Sequence, residues 1–223
     1  MEDTPKSQPI STQIQEIAEQ AKAYPEAFRN LAPRIDVSWL REAYRQTNKS
    51  SAAGIDGITA AKYGANLEQN LQELHQRLKN GRYKAPPVER VWIDKEDGSQ
   101  RPIGKPTFED KIVQRAVVML LEPIYDQEFY DFSHGFRTGY SPHQALRQLR
   151  GQCQQNINWI IDADVSQFFD EIGHDQLREF IKRRVNDGGI LKLIGKWLKA
   201  GVMEEGNLTY AEKGSPQGGL SRL

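Results

Sequence analysis

The segment Ile160-Ile161-Asp162-Ala163-Asp164-Val165-Ser166-Gln167-Phe168-Phe169-Asp170 is an apolar run that ends in carboxylates and turns into a pair of aromatics. Carboxylates at the end of an apolar strand carry a desolvation cost unless they are solvated, paired or bound to cations. Strand alternation over 158–165 puts Ile160, Asp162 and Asp164 on one face, with Asp164 at the exit. Such a strand end holds an oxygen rigidly enough for a hard divalent cation, which takes a few carboxylate oxygens and completes its shell with substrate phosphates. The same spacing suits an acidic strand end followed by a helix cap, and the segment alone leaves both readings open.

Around this strand the pattern is mostly helical. Ile14, Ile17, Ala18, Ala21 and Tyr24 recur at helical spacing up to Pro25, which ends or kinks that helix. A second helix opens at Val37 and runs to about Asn48, before a loop at Gly54-Ile55-Asp56-Gly57. Leu67, Leu71, Leu74 and Leu78 mark a third, stopped at Asn80-Gly81. Val88–Ile93, the turn residues 95–99 and Gln100–Ile103 read as a hairpin. A long helix follows from Phe108 to about Gln127, and Ser141-Pro142 opens another. Two helices near 174–183 and 188–200 and a short hairpin around Gly206 complete the pattern. These elements predict an α+β fold, helix-rich with short antiparallel hairpins.

Composition narrows the function classes only a little. No apolar run approaches the roughly 18 residues of a membrane span, and the first residues lack the features of a signal peptide, so a cytoplasmic protein with no membrane partner is expected. Cys153 is the single cysteine, expected as a buried small apolar residue, and the four histidines are too scattered for a zinc site. Lys and Arg total 30, equal to Asp and Glu, yet Arg77 to Arg115 holds ten cations against six carboxylates. A solvated face explains that stretch as well as a phosphate track does. Lys95 and Arg101 flank the hairpin turn, where two cations can reach one anion from neighbouring strands. Without further evidence, an exposed Lys and Arg beside a turn more often only solvate it.

Taken together, the motifs resemble those of reverse transcriptases encoded by group II introns and their bacterial, retron-type relatives. Asp164-Val165-Ser166-Gln167-Phe168-Phe169-Asp170 is similar to the first palm motif of that family. Gly54–Thr59, Arg101–Thr107 with Asp110–Ala116, and Gly135–Arg137 with Ser141–Leu146 resemble three successive fingers blocks. Gly214-Ser215-Pro216-Gln217-Gly218-Gly219 is similar to the motif that backs the templating base pair. The five stand in the family's order across about residues 36–219.

The resemblance implies a right-hand polymerase arrangement with an N-terminal extension over 1–35, without order at first and then helical, fingers over 36–153 and a partial palm over 154–223. It implies that Asp164 is catalytic and binds magnesium, or manganese in its place, with the Val165 carbonyl sharing in coordination. Phe169 would lie under the incoming sugar and select deoxynucleotides; Lys95 and Arg101 would contact the triphosphate, and Gln217 would pack beneath the nascent pair. Arg137, His143, Lys105 and Arg115 are further candidates for template or primer phosphates. The implied partners are an RNA template, a DNA or RNA primer, a deoxynucleoside triphosphate and intron RNA. The implied reaction is two-metal nucleotidyl transfer to a primer 3′ hydroxyl, with a non-catalytic, maturase-like RNA-binding module as the alternative.

The sequence departs from the family in one respect. The second carboxylate cluster, a Tyr-x-Asp-Asp hairpin, does not occur in these 223 residues, so they are expected to be inactive by themselves.

Overall fold

Strands β1 (Val88–Asp94) and β2 (Gln100–Lys105) form an antiparallel hairpin with Glu89 opposite Lys105 and Ile93 opposite Arg101. The computed structural model describes residues 8–94, 96, 98–153 and 157–215. Two short strands, β3 (Val202–Glu204) and β4 (Asn207–Thr209), extend the sheet in the order β2-β1-β3-β4. Strand β3 runs parallel to β1 through Val88–Val202 and Glu89–Met203, so residues more than a hundred positions apart share one sheet. Arg90 pairs with Glu204 at 3.4 Å and the Trp92 indole donates to the same carboxylate at 2.7 Å, which holds that junction from its exposed face.

Helices make up roughly half of the chain, and α5 (Phe108–Tyr125) is the central one. Ile112, Val113, Ala116, Val117, Val118, Met119 and Leu120 are all buried, so its apolar surface is covered on more than one side. Thr107 caps it by accepting from the Asp110 amide at 3.3 Å. Helices α1 (Ile10–Ala23) and α2 (Val37–Gln46) pack on it, with the fully buried Trp39 of α2 donating its indole N–H to the Ala116 carbonyl at 2.9 Å. The short α3 (Ala60–Gly64), which apolar periodicity is too brief to reveal, and α4 (Leu67–Lys79) close this side through Tyr63, Leu71 and Leu74. Residues late in the chain join the same core: Val185, and Ile190 and Leu193 of α9 (Gly188–Leu198). Among the described residues no helix is long and apolar enough to cross a membrane.

Two sequence expectations are corrected. Residues 158–165 form no strand; Trp159, Ile160 and Ile161 are 90%, 83% and 92% exposed. Among the described residues no strand pairs with 158–165, although β2 and β4 are the outer strands of the sheet, and an extended segment without a pairing partner leaves its backbone groups to solvent. Cys153 is exposed, because it ends α6 (Pro142–Cys153), a surface helix that buries none of its residues. The exposure of the 158–165 segment predicts the first proteolytic site. Brief chymotrypsin treatment is expected to cut after Trp159 well before Trp39 or Trp197, as read by mass spectrometry of the fragments; a first cut inside α4 or α5 would contradict it.

Candidate functional site

Three of the segments singled out in the sequence meet around one cleft. Its walls are Pro102 and Gly104 of β2, Asp170 of α7 (Phe168–Glu171), Val202 of β3, and Gly214 with Ser215; it encloses about 220 Å³. What brings the last pair to α7 is backbone hydrogen bonding. The Ser215 amide donates to the Phe169 carbonyl and the Gly214 amide to the Ile172 carbonyl, both at 2.8 Å, and Gly173 bridges Lys213. Gly214 has φ +79°, and a Cβ there would lie 2.6 Å from the Asp170 carbonyl oxygen, so no larger residue allows the two segments to approach this closely. The His174 ring, at the start of α8 (His174–Lys182), is within 2.8 Å of the Gly214 carbonyl, and Lys213 pairs with Glu171 at 2.5 Å.

The fingers-like blocks are joined to each other in the same manner. A Cβ on Gly54 would meet the Pro106 carbonyl and the Thr107 amide at 2.7 Å, so this loop lies directly against the chain leaving β2. Lys111 is buried and donates to the Ser51 hydroxyl at 3.0 Å and the Ala52 carbonyl at 2.7 Å, tying the loop to α5. Burial lowers its pKa. Asp110 lies deeper still. Its carboxylate accepts from the Tyr83 hydroxyl, from the Trp197 indole at 2.8 Å and from Gln114 at 2.7 Å. Burial pushes the Asp110 carboxyl above the ordinary carboxylate range, against the pull of those donors, and the Tyr83 hydroxyl is raised by the same burial.

The proposed metal and sugar contacts lie on the exposed segment. Asp164 and Val165 are exposed, Val165 to 69%, and among the described residues Asp164 makes no hydrogen bond or ion pair. Gln167, with φ +53°, turns the chain into α7, where Phe169 is half-exposed and edge-on to Phe168 with ring centroids 5.4 Å apart. No three His, Cys, Asp or Glu side chains among the described residues are gathered closely enough to hold a metal ion. Asp164 and the Val165 carbonyl are hard oxygen donors, suited in kind to magnesium. Two such oxygens do not by themselves hold the ion, which takes further carboxylate, phosphate or water oxygens.

The remaining candidates divide by how their charges are already used. Arg101 is exposed on β2, opposite Ile93. Lys105 is paired with Glu89 at 3.0 Å, and Arg115 is half-buried on α5. His143 is exposed in the first turn of α6. The Arg137 side chain is only 7% exposed. It donates to Asp126 at 2.8 Å and to the Ser133 carbonyl at 3.0 Å, and stacks over Tyr140 at 4.2 Å, so it organises its own loop. Lys95 and Gln217 lie outside the described residues. Sequence reasoning missed Asp110 and Asp187 as organising carboxylates. The i, i+4 spacing of Asp110 and Gln114 was the available signal for the first.

Comparison with known proteins shows which family the sequence resembles. The family described as reverse transcriptase (RNA-dependent DNA polymerase) matches residues 93–221. Protein YkfC of Escherichia coli (strain K12) is 38% identical over 189 residues, covering 82% of this chain and 50% of that protein. Group II intron-encoded protein LtrA of Lactococcus lactis subsp. cremoris is 36% identical over 188 residues, 84% of this chain and 31% of that protein. Nuclear intron maturase 1, mitochondrial, of Arabidopsis thaliana is 34% identical over 95 residues, 43% of this chain and 13% of that protein. The chain thus spans half or less of the length of these relatives.

Proposed function

This chain belongs to the reverse transcriptase family, and from that premise we propose that it forms fingers and part of the palm of a group II intron-type RNA-directed DNA polymerase. The observation that supports this reading best is the cleft where β2, α7 and Gly214-Ser215 converge, because it unites three separate family-like motifs around one space. The family depends in general on a divalent metal. Asp164 and the Val165 carbonyl would supply oxygens to it, and the ion would neutralise charge on the phosphates of the incoming nucleotide. Arg101, with Lys95, would bind the triphosphate from the hairpin. Phosphoryl transfer needs mainly positioning and charge neutralisation, which cations on a rigid hairpin provide. The Phe169 ring would bear on the sugar, excluding a 2′ hydroxyl, and Gln217 would support the nascent pair from below. A primer 3′ oxygen would then attack the α-phosphorus, with pyrophosphate leaving.

These 223 residues contain no Tyr-x-Asp-Asp segment, so alone they are expected to incorporate no deoxynucleotide above an Asp164→Ala control. Joined in frame to the part of the Lactococcus lactis protein that follows its matched region, they are expected to extend an oligo(dT) primer on poly(rA) with magnesium. Asp164→Ala in that chimera should lower the rate by about 10³-fold or more, the scale on which transition-state charge stabilisation operates. A chimera that melts cooperatively and binds primer–template yet incorporates nothing would overturn the polymerase reading. The similarity to a nuclear intron maturase supports a second reading, an RNA-binding module without chemistry. RNA binding that survives Asp164→Ala in an inactive chimera would favour it.

A further inference from the structure

The chain's formal charge is zero, yet its cations are not evenly neutralised. A groove of about 800 Å³ runs between residues 81–87, after α4, and helices α8 and α9. Lys192 and Lys196 of α9 and Lys199, the residue that caps it, line the groove at i, i+4 and i+7, close to the spacing of a single helix face. Arg82 and Lys84 line it from the opposite wall and Arg178 from α8. Asp175 is the only carboxylate among its described lining residues.

Some cations outside the groove are paired, as in Arg41–Glu68 and Arg45–Glu42, both at 2.6 Å; what distinguishes the groove is that several cations share one concavity with a single carboxylate. Among the described residues none of Arg82, Lys84, Arg178, Lys192 and Lys199 has an ion-pair partner. Lys196 has a different task. Its ammonium donates to the carbonyls of Gly81 at 3.0 Å and Tyr83 at 2.5 Å, which pins the two walls together and sets the groove's width. The floor includes Ile181, Leu191 and Ile194, and Tyr210, 68% exposed, stands at the rim. Of the cleft's lining residues the groove shares only Leu198. Like charges gathered in one concavity repel one another, and a polyanion relieves that repulsion by displacing the small ions that would otherwise screen it.

We propose that this groove binds the phosphate backbone of an RNA strand, as a track separate from the cleft at β2 and α7. Arg82, Lys84, Arg178, Lys192 and Lys199 face the phosphates, and the Tyr210 ring offers a stacking surface to a base. The choice of RNA over another polyanion rests on the reading under Proposed function; the charge geometry does not.

The test is binding of a labelled oligo(rU) to the full 223-residue chain, measured by anisotropy across a salt series. The triple variant Arg82→Gln, Lys192→Gln, Lys199→Gln is expected to bind about tenfold more weakly or worse at low salt. Its plot of log affinity against log salt should flatten by about 2, three contacts at roughly 0.7 each for a single strand. A second triple variant, Arg41→Gln, Arg45→Gln, Lys182→Gln, removes the same charge from paired cations outside the groove and should keep the wild-type slope. All six side chains lie on the surface, and melting curves will show that each variant folds. Wild-type binding by the groove variant, or equal losses in both variants, would overturn the proposal. So would tighter, groove-dependent binding of poly-glutamate, which would point to an acidic protein. The result is separable from the polymerase test: an inactive chimera leaves groove-dependent RNA binding intact, and loss of the track leaves the Asp164 comparison unaffected.

Discussion

Asp187→Ala is expected to lower the melting temperature by about 10 °C, equivalent to about 3–5 kcal/mol for a chain of this length. Asp187 is buried, and its two oxygens are fully used. One accepts from the amides of Gly189 and Ile190, at 2.8 and 2.9 Å, and so caps α9. The other accepts from Leu31 at 2.8 Å and Ala32 at 3.2 Å, across 156 residues of chain. A cap alone is worth about 1 kcal/mol. The larger part of the expected loss comes from four amides left without their acceptor, those of Leu31 and Ile190 buried and those of Ala32 and Gly189 partly so, two of the four being charge-assisted links between distant segments. Asp187→Ser should recover the cap and leave the long-range link broken, placing its melting point between the wild type and the alanine variant. Arg184 reinforces the same junction by donating to the Ala21 carbonyl at 2.7 Å. A fall of under about 2 °C for Asp187→Ala would show that the junction is held by its apolar contacts instead.

Asp110→Ala should cost a similar amount, about 3–5 kcal/mol, because it strands the Tyr83 hydroxyl, the Trp197 indole and the Gln114 amide at the contact between α5 and α9. The pH dependence carries further information. Burial raises the Asp110 pKa in the folded chain above its unfolded value of about 3.9. A group raised in this way contributes stability that is fully present below the unfolded pKa and is lost as pH rises through the folded one. Wild-type protein should therefore lose ground against Asp110→Asn, which does not titrate, as pH climbs from about 3 through the carboxylate range. Melting-temperature differences between the two proteins at successive pH values will show it. The opposite slope would mean that the three donors outweigh burial and favour the ionised carboxylate.

These carboxylates differ in kind from Asp164. Asp110 and Asp187 lie in the core, fully engaged by donors, and act on stability. Asp164 is exposed and has no partner among the described residues, so its replacement should leave the melting point nearly unchanged. That contrast separates a loss of chemistry from a loss of fold in any activity measurement.

The sequence by itself determined the longer helices, the β1–β2 hairpin, the order of the motifs and, through them, the family. Each of these depends on local pattern: apolar spacing at 3.6 residues, turn residues at 95–99, and short motifs such as Arg101–Thr107. Only the tertiary structure decided which polar residues are structural. Asp110, Asp187 and Lys111 read as ordinary charged positions and Arg137 as a candidate phosphate contact, and their structural roles come from partners that lie far away in sequence or in irregular backbone. The same holds for residues 158–165, whose apolar content calls for a strand. Strand pairing is a contact between segments, and among the described residues 158–165 pairs with none of the four strands, so the apolar pattern alone produces no strand. The unpaired cations of the groove were equally illegible, since pairing and concavity are properties of the assembled α8, α9 and 81–87 surfaces.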